Sequence, residues 1–316
     1  MTNASKTLAA IFIVLFLLTA AIKWSSGPEA SEVFRSQLVS VDTSQVTRIV
    51  IAPPSGGPLT LEKDQQQWRI SSHASEQSHP ADASRVSGAI SRLNDMNVTA
   101  VATRDPEKFT RYRVDSTGIK VSLYNGEELL SSIYVGAPQS GGQQSFNNYV
   151  RLDREDAVYA VDGLLESTFG REFEEWREKT VWEVDRSNIS QLSFSYPADS
   201  SFVIDRAEGE RQKNWVSGSD TLSYSSVSPI LRHLSSLRAS GFVDSLARDA
   251  FGSEKYAVRL TLTGGAQHQL RLRESEADTT IYLAASPDFP YIFSLNKEQW
   301  DEDVLKSRSE LLNDDQ

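Results

Sequence analysis

The 316-residue chain has no cysteine. That removes disulfides, thiolate zinc sites, iron–sulfur clusters, a cysteine nucleophile and a lipidated cysteine. It leaves the redox compartment open. Basic residues are in deficit: 32 Lys and Arg face 43 Asp and Glu, for a net charge of −11. With that sign and no basic stripe, nucleic acid is not expected as a partner. The G-x-S-x-G, H-E-x-x-H, P-loop, Rossmann and EF-hand patterns are missing. Serines abound, but nothing suggests a positioned base to activate one. The residues therefore point to no catalytic set, no metal and no cofactor. What is present is ordinary globular composition, 39% hydrophobic and 24% charged, which excludes wholesale disorder.

Histidine is scarce, with four in all. His73 and His79 stand six apart in a Ser-rich stretch, a spacing that fits no common metal site and reads as a surface loop. His233 reads as a helix-surface residue, and His268 as part of an exposed strand after a hairpin turn. The acidic pairs Asp153/Asp156 and Asp301/Asp303 read as solvated turns or tail.

Leu8 to Ile22 is apolar except for Thr19, and Lys6 and Lys23 bound it. Lysine stems can snorkel to opposite interfaces, and Trp24 suits an aromatic belt. Residues 1–24 are therefore expected to form a cytoplasmic N-terminus and a single transmembrane anchor. That makes the lipid bilayer a partner and puts the bulk of the chain outside the cytoplasm, at a bacterial inner membrane. The alternative is a cleaved signal peptide with a weak small-residue site at Thr19–Ala21, followed at once by bulky Ile22, Lys23 and Trp24. Residues 25–37 are small and polar and read as a tether.

The remainder reads as one unit used twice. Val41-Asp42-Thr43-Ser44-Gln45-Val46 matches Val184-Asp185-Arg186-Ser187-Asn188-Ile189 at an offset of 143. The same offset takes Leu59 and Leu61 to Phe202 and Ile204. Trp68 then meets Trp215 after a short insertion. Ile90, Leu93 and Met96 follow against Leu231, Leu234 and Leu237, spaced for one helical face. Ile119, Val121 and Leu123 fall on Val258, Leu260 and Leu262, and Val158–Val161 on Ile292–Leu295. These matches predict repeats over 38–170 and 181–305, a charged connector helix over 171–180 and an acidic tail over 306–316. Asn125-Gly126 is a hairpin signal, and Asp105 followed by Pro106 starts a short helix. The expected class is α+β: an N-terminal transmembrane helix, then two tandem repeats of mainly antiparallel sheet with helices on one face. Along the connector, Leu165, Phe169, Phe173, Trp176 and Thr180 form the one apolar seam of a charged helix, broken or bent near Gly170. The charges between them, Arg177 included, read as solvated.

Trp68 and Trp215, at equivalent places, read as structural core rather than sugar-stacking residues. The best candidate for partner contact is the polar loop 137–147, and within it Gln139, Ser140, Gly141, Gly142, Gln143, Gln144 and Phe146. Loops of this kind carry contacts more often than core strands do.

Trp68-Arg69-Ile70, Val135-Gly136, Tyr149-Val150-Arg151, Val158-Tyr159-Ala160-Val161 and Trp176-Arg177-Glu178-Lys179 together resemble an uncharacterised bacterial family, a domain of unknown function of the DUF4340 type. The resemblance spans roughly residues 40–245. Its members commonly accompany ABC transporters of the type linked to gliding motility. The resemblance implies a non-enzymatic binding or scaffold subunit, with membrane subunits of such a transporter as partners, and it carries over no catalytic residue. An exported hydrolase of envelope glycan or peptide is the alternative.

Overall fold

The structure is a computed structural model that describes residues 37–73, 75–138, 147–198, 200–207 and 215–313. Strands dominate it. The first half supplies β1 (Arg48–Ala52), β2 (Leu59–Asp64), β3 (Gln67–Ser72), β4 (Ser75–Pro80), β5 (Val98–Thr103), β6 (Ile119–Asn125), β7 (Glu128–Pro138), β8 (Asn147–Leu152) and β9 (Val158–Asp162). Its helices are α1 (Ala83–Asp95) and the single turn α2 (Phe109–Tyr112). The short helices α3 (Leu165–Phe169) and α4 (Phe173–Trp176) follow. The second half holds β10 (Thr180–Glu183), β11 (Ile189–Ser195), β12 (Phe202–Arg206), β13 (Trp215–Ser217), β14 (Asp220–Leu222), β15 (Ser236–Arg238) and β16 (Gly241–Phe242). It continues with β17 (Tyr256–Leu262), β18 (Gln267–Glu274), β19 (Ile281–Ala285) and β20 (Phe293–Asn296). Its helices are α5 (Tyr224–Ser235), α6 (Lys297–Asp303) and α7 (Arg308–Asn313).

One nine-stranded sheet runs β4-β3-β2-β1-β6-β7-β8-β9-β5 and the other β14-β13-β12-β11-β17-β18-β19-β20-β16. The two orders are the same: four strands, a helix and a far-edge strand, then a four-strand meander inserted beside the first strand. Register repeats as well. Ile49 faces Leu123 and Ile51 faces Val121, while Leu192 faces Leu260 and Phe194 faces Val258. All eight side chains are buried, so each apolar pair closes over the one beside it. Before each of these strands an aspartate caps a 3-10 turn: Asp42 accepts from the Ser44 N–H and Asp185 from the Ser187 N–H. The Ser44 hydroxyl and N–H hold the Asp42 carboxyl below the ordinary aspartate range, and the Ser187 N–H and hydroxyl do the same for Asp185.

The expected class is corrected by this architecture. The fold is mostly antiparallel sheet in two large sheets rather than α+β led by a membrane helix. Period-two alternation over short segments, such as intermediate and buried in turn along β1, outweighs helical pattern through most of the chain. The two longest described helices have 13 and 12 residues, so each spans about 20 Å against a bilayer core of about 30 Å. Among the described residues, no helix is long and apolar enough to cross a membrane. The Leu8–Ile22 segment lies outside the described residues.

Contacts divide the chain into two units, 1–60 with 87–170, and 61–86 with 171–316. In the second unit, Val227, Ile230, Leu231 and Leu234 of α5 join Leu192, Ile204, Leu260, Leu270 and Trp215 in one buried cluster. Ser223 caps α5 by accepting from the Ser226 N–H. The connector breaks at Gly170, where the seam is expected to be broken or bent, into α3 and α4, but it stops at Trp176 with Arg177 already extended, short of the expected end at 180. At the β6–β7 turn, Asn125 pairs with Glu128, which leaves Gly126 and Glu127 as the loop. The left-handed φ of +56° falls on Gly126, where it carries no Cβ penalty.

Candidate functional site

The second unit contains a cleft of about 710 Å³, and its walls are three short segments. Arg69 and residues 77–80 form one, residues 244–247 the second, and Phe289, Pro290 and Tyr291 the third. What holds these walls is Arg177. Glu172 and Glu175 form a capping box that starts α4. The helix stops at Trp176, and the backbone then runs extended beside Pro80–Asp82. Arg177 and Ala81 form an antiparallel bridge. The Asp82 N–H donates to the Trp176 carbonyl at 2.8 Å and the Glu178 N–H to the Pro80 carbonyl at 2.9 Å.

This pairing turns the Arg177 side chain inward, where it is 1% exposed. A buried guanidinium requires compensating charge and acceptors. Its Nη1 donates to Glu174 Oε1 at 2.9 Å and to Asp244 Oδ2 at 2.5 Å, and Nη2 donates to Asp244 Oδ1 at 3.1 Å. The paired bonds to Asp244 are the fork geometry that suits guanidinium and carboxylate. The guanidinium carbon also lies 3.5 Å from the centre of the Phe242 ring, a favourable cation–π placement. Among the described residues, Nε has no acceptor and Glu174 Oε2 has no donor.

His79 completes the hub, its Nδ1 3.0 Å from Arg177 Nη2. Arginine only donates, so Nδ1 accepts and neutral His79 carries its proton on Nε2. Burial, and then the neighbouring Arg177, push the His79 pKa below the ordinary histidine value, against the opposing pull of Asp244 and Glu174. Phe173 meets the imidazole edge to face, with ring centres 5.9 Å apart. At the rim, Arg69 donates from Nε to Ser78 Oγ at 2.7 Å and from Nη2 to the Ser78 carbonyl at 2.5 Å. Among the described residues, Arg69 makes no ion pair with a carboxylate. Tyr291 has its hydroxyl pKa raised, chiefly by burial.

Two readings of the sequence are corrected here. His79 lies on strand β4, not in a surface loop, because Ile70 of β3 pairs with it. Arg177 is among the largest fully buried side chains and not a solvated charge. The signal for it was local but faint: Trp176-Arg177 closes the last turn of a four-residue helix, beyond which helical spacing no longer assigns faces.

Among the other histidines, His233 packs edge-on against Trp300 at 5.4 Å, and His268 stacks on Trp182 at 5.3 Å. Neither is the freely exposed side chain expected. Trp68 is 8% exposed and Trp215 0%. Of the acidic pairs, Asp153 bonds Lys120 at 2.8 Å, and Asp301 accepts from the Tyr282 hydroxyl at 2.6 Å and from Lys297 at 2.7 Å. Among the described residues, no group of three or more His, Asp or Glu side chains is placed to hold a metal ion.

The loop candidates Gln139, Ser140, Gly141, Gly142, Gln143, Gln144 and Phe146 lie outside the described residues. Asn147, the next residue, borders a second cleft of about 830 Å³ within the first unit, with Arg92, Asp95, Asp162 and exposed Leu164 on its walls.

Residues 72–259 match the family model described as a domain of unknown function, DUF4340. The chain belongs to this family. The matched stretch covers more than half of the chain and contains His79, Arg177 and Asp244, and it leaves Arg69 and Tyr291 outside. No curated protein matches, and no solved structure matches.

Proposed function

We propose that this member of the DUF4340 family is a non-enzymatic binding or scaffold subunit that works outside the cytoplasm beside an ABC-type transporter of the gliding-motility kind. One observation carries the binding part of this reading: Arg177 takes both oxygens of Asp244 and one of Glu174. A hydrolytic carboxylate pair needs one group that delivers a proton and a second that attacks or activates water. Here the nearest carboxylates accept from a fixed guanidinium, and the cleft presents donors and aromatic walls instead. That is the chemistry of recognition. The transporter part rests on the family resemblance.

The test is photo-crosslinking in native membranes, with the crosslinker placed at Ala247 on the cleft wall or at Gln143 in the 139–146 loop. Capture of a permease or auxiliary membrane subunit of an ABC transporter is the expected result. Two outcomes would overturn the reading. One is that no transporter subunit is captured from either position. The other is that the purified full-length chain turns over peptidoglycan fragments.

A further inference from the structure

Two opposite charges border the same cleft without pairing. Arg69 and Asp244 are both on its walls, yet among the described residues Arg69 makes no ion pair, and Asp244 pairs with Arg177 instead. Each keeps capacity for further hydrogen bonds. Arg69 gives one Nε and one Nη2 hydrogen to Ser78, and a guanidinium has three more to give. Each Asp244 oxygen accepts once, from Arg177, where a carboxylate oxygen can accept twice. His79 adds the Nε2–H left over once Nδ1 accepts from Arg177, and the exposed Ser245 hydroxyl can donate and accept. The backbone of residues 78–80 offers little. The Ser78 carbonyl already accepts from Arg69 and the Pro80 carbonyl from the Glu178 N–H, and Pro80 has no N–H. Recognition therefore falls to side chains. The rest of the wall is ring and aliphatic surface, from Leu246, Phe289, Pro290 and Tyr291. Phe289 is held by Tyr291 and Phe293, with ring centres 5.5 and 5.2 Å away.

A charged ligand meets a group of its own sign on these walls, Asp244 for an anion and Arg69 for a cation. A neutral ligand that both donates and accepts meets neither penalty. One hydroxyl oxygen does both, so neighbouring hydroxyls can bridge a guanidinium and a carboxylate that do not reach each other. A pyranose carries such hydroxyls on its rim, and its C–H face packs on the negative face of an aromatic ring. We infer that the cleft binds a short neutral saccharide. Its hydroxyls would bridge Arg69 and Asp244, with the sugar ring against Phe289 and Pro290. The cleft volume of about 710 Å³ lies within the range of small-ligand sites. This inference rests on the binding-subunit reading and names what that subunit would bind.

The experiment titrates the purified full-length chain by calorimetry, in a detergent without a sugar headgroup. The probes are cellobiose, maltose and N,N′-diacetylchitobiose, with acetyl-tetraproline amide and benzoate as the competing ligand classes. The expected result is saturable binding of at least one disaccharide in the millimolar range or tighter. That binding should not weaken between low and high salt, because the ligand has no charge to screen. Arg69→Gln and Asp244→Asn should each weaken it about tenfold, as loss of a hydrogen bond to a charged group implies. The comparison of probes on the unaltered chain stands even if a variant fails to fold. No binding of any of the three disaccharides in the millimolar range would overturn the assignment. So would tighter binding of the proline peptide or of benzoate than of every disaccharide, or parent-like binding by both variants. These outcomes are separable from failure of the broader reading. Capture of transporter subunits by a chain that binds no disaccharide removes only the ligand assignment. Saccharide binding without capture removes only the transporter association, and saccharide binding with release of monosaccharide removes only the non-enzymatic reading.

Discussion

The guanidinium of Arg177 holds both carboxylate oxygens of Asp244, at 2.5 and 3.1 Å, across a separation of 67 residues in the chain. The two ends are not equivalent. Arg177 is 1% exposed, whereas the Asp244 side chain is 39% exposed. Removing the arginine strands two carboxylates and a histidine acceptor in partly desolvated surroundings. Removing the aspartate leaves Arg177 with Glu174, His79 and the Phe242 ring.

Arg177→Met is therefore expected to cost about 3–5 kcal/mol, and Asp244→Asn about 1–2 kcal/mol. Urea unfolding of the full-length variants measures both. A loss below about 1 kcal/mol for Arg177→Met, inside the range of ordinary surface changes, would remove its role as the hub of the cleft.

The second prediction concerns pH. Burial and Arg177 depress the His79 pKa in the folded state, and burial depresses that of His233. The unfolded chain titrates near the ordinary value of about 6.5. Between that value and the depressed folded values, the unfolded state binds more protons, so stability falls as pH falls. Both histidines act with the same sign. The stability of the parent chain should decline from about pH 6.5 downward, and His79→Gln and His233→Gln should each flatten part of that decline. Chemical unfolding measured across the window tests this. A slope unchanged in both variants would mean that neither imidazole is desolvated as described.

Much of the strand framework could be read from the chain, because alternation and turn residues act locally. Val121 and Leu123 alternate with Lys120, Ser122 and Tyr124, and they pair with buried Ile51 and Ile49 of the apolar strand β1. The cleft was not legible in the same way. Residues 75–80 (Ser-Glu-Gln-Ser-His-Pro) contain no Val, Ile, Thr, Phe, Tyr or Trp, so nothing in their composition marks a strand. They form one because β3 pairs with them and because a sheet edge needs little side-chain packing. Arg177 sits in a run of charges whose helical spacing assigned it to solvent. Its burial depends on Asp244 and Phe242, far along the chain, and no local pattern announces such a partner. The break of the connector at Gly170 was legible from the glycine, whereas its stop at Trp176 was not, for a similar reason. The extended backbone at Glu172 and Arg177 is fixed by capping and by the Ala81 bridge, both outside what apolar spacing reports.

A third prediction separates core tryptophans from ligand-stacking ones. Trp215 is 0% exposed and lies in the buried cluster of the second unit. Trp68 keeps 8% exposure, and its carbonyl accepts from the Ala81 N–H, next to the Arg177 bridge. Replacement by alanine should cost about 3–5 kcal/mol at either site, with Trp215 the more damaging. Thermal melts of the two variants decide the matter, and an unchanged melting temperature for Trp215→Ala would contradict a core role.

The last prediction concerns Gly136, on β7. A Cβ built there would lie 2.1 Å from the Tyr112 carbonyl oxygen and 2.8 Å from Val114 Cγ1. Tyr112 cannot withdraw easily. It ends α2, where Arg113 takes a left-handed φ of 55°, and its ring packs on Tyr149 with centres 4.5 Å apart. The neighbouring Val114 carbonyl accepts from Arg151 Nε at 2.9 Å, while the Arg151 guanidinium lies between Phe109 and Tyr134 at 4.4 and 4.5 Å. The motifs Val135-Gly136 and Tyr149-Val150-Arg151 thus meet around one turn and lock it onto the first sheet. Because the close neighbour is backbone and the turn is held from two sides, Gly136→Ala cannot be absorbed by a side-chain shift, and a loss of about 3 kcal/mol or more is expected, at or above the upper end of ordinary overpacking costs. Gly88→Ala provides the contrast. Nothing lies within 4 Å of a Cβ at that position of α1, so the substitution should gain about 0.4–1 kcal/mol through helix propensity and a restricted unfolded state. Urea unfolding of the two variants side by side gives the comparison, and similar midpoints for both would show that the β7 contact is looser than the geometry requires.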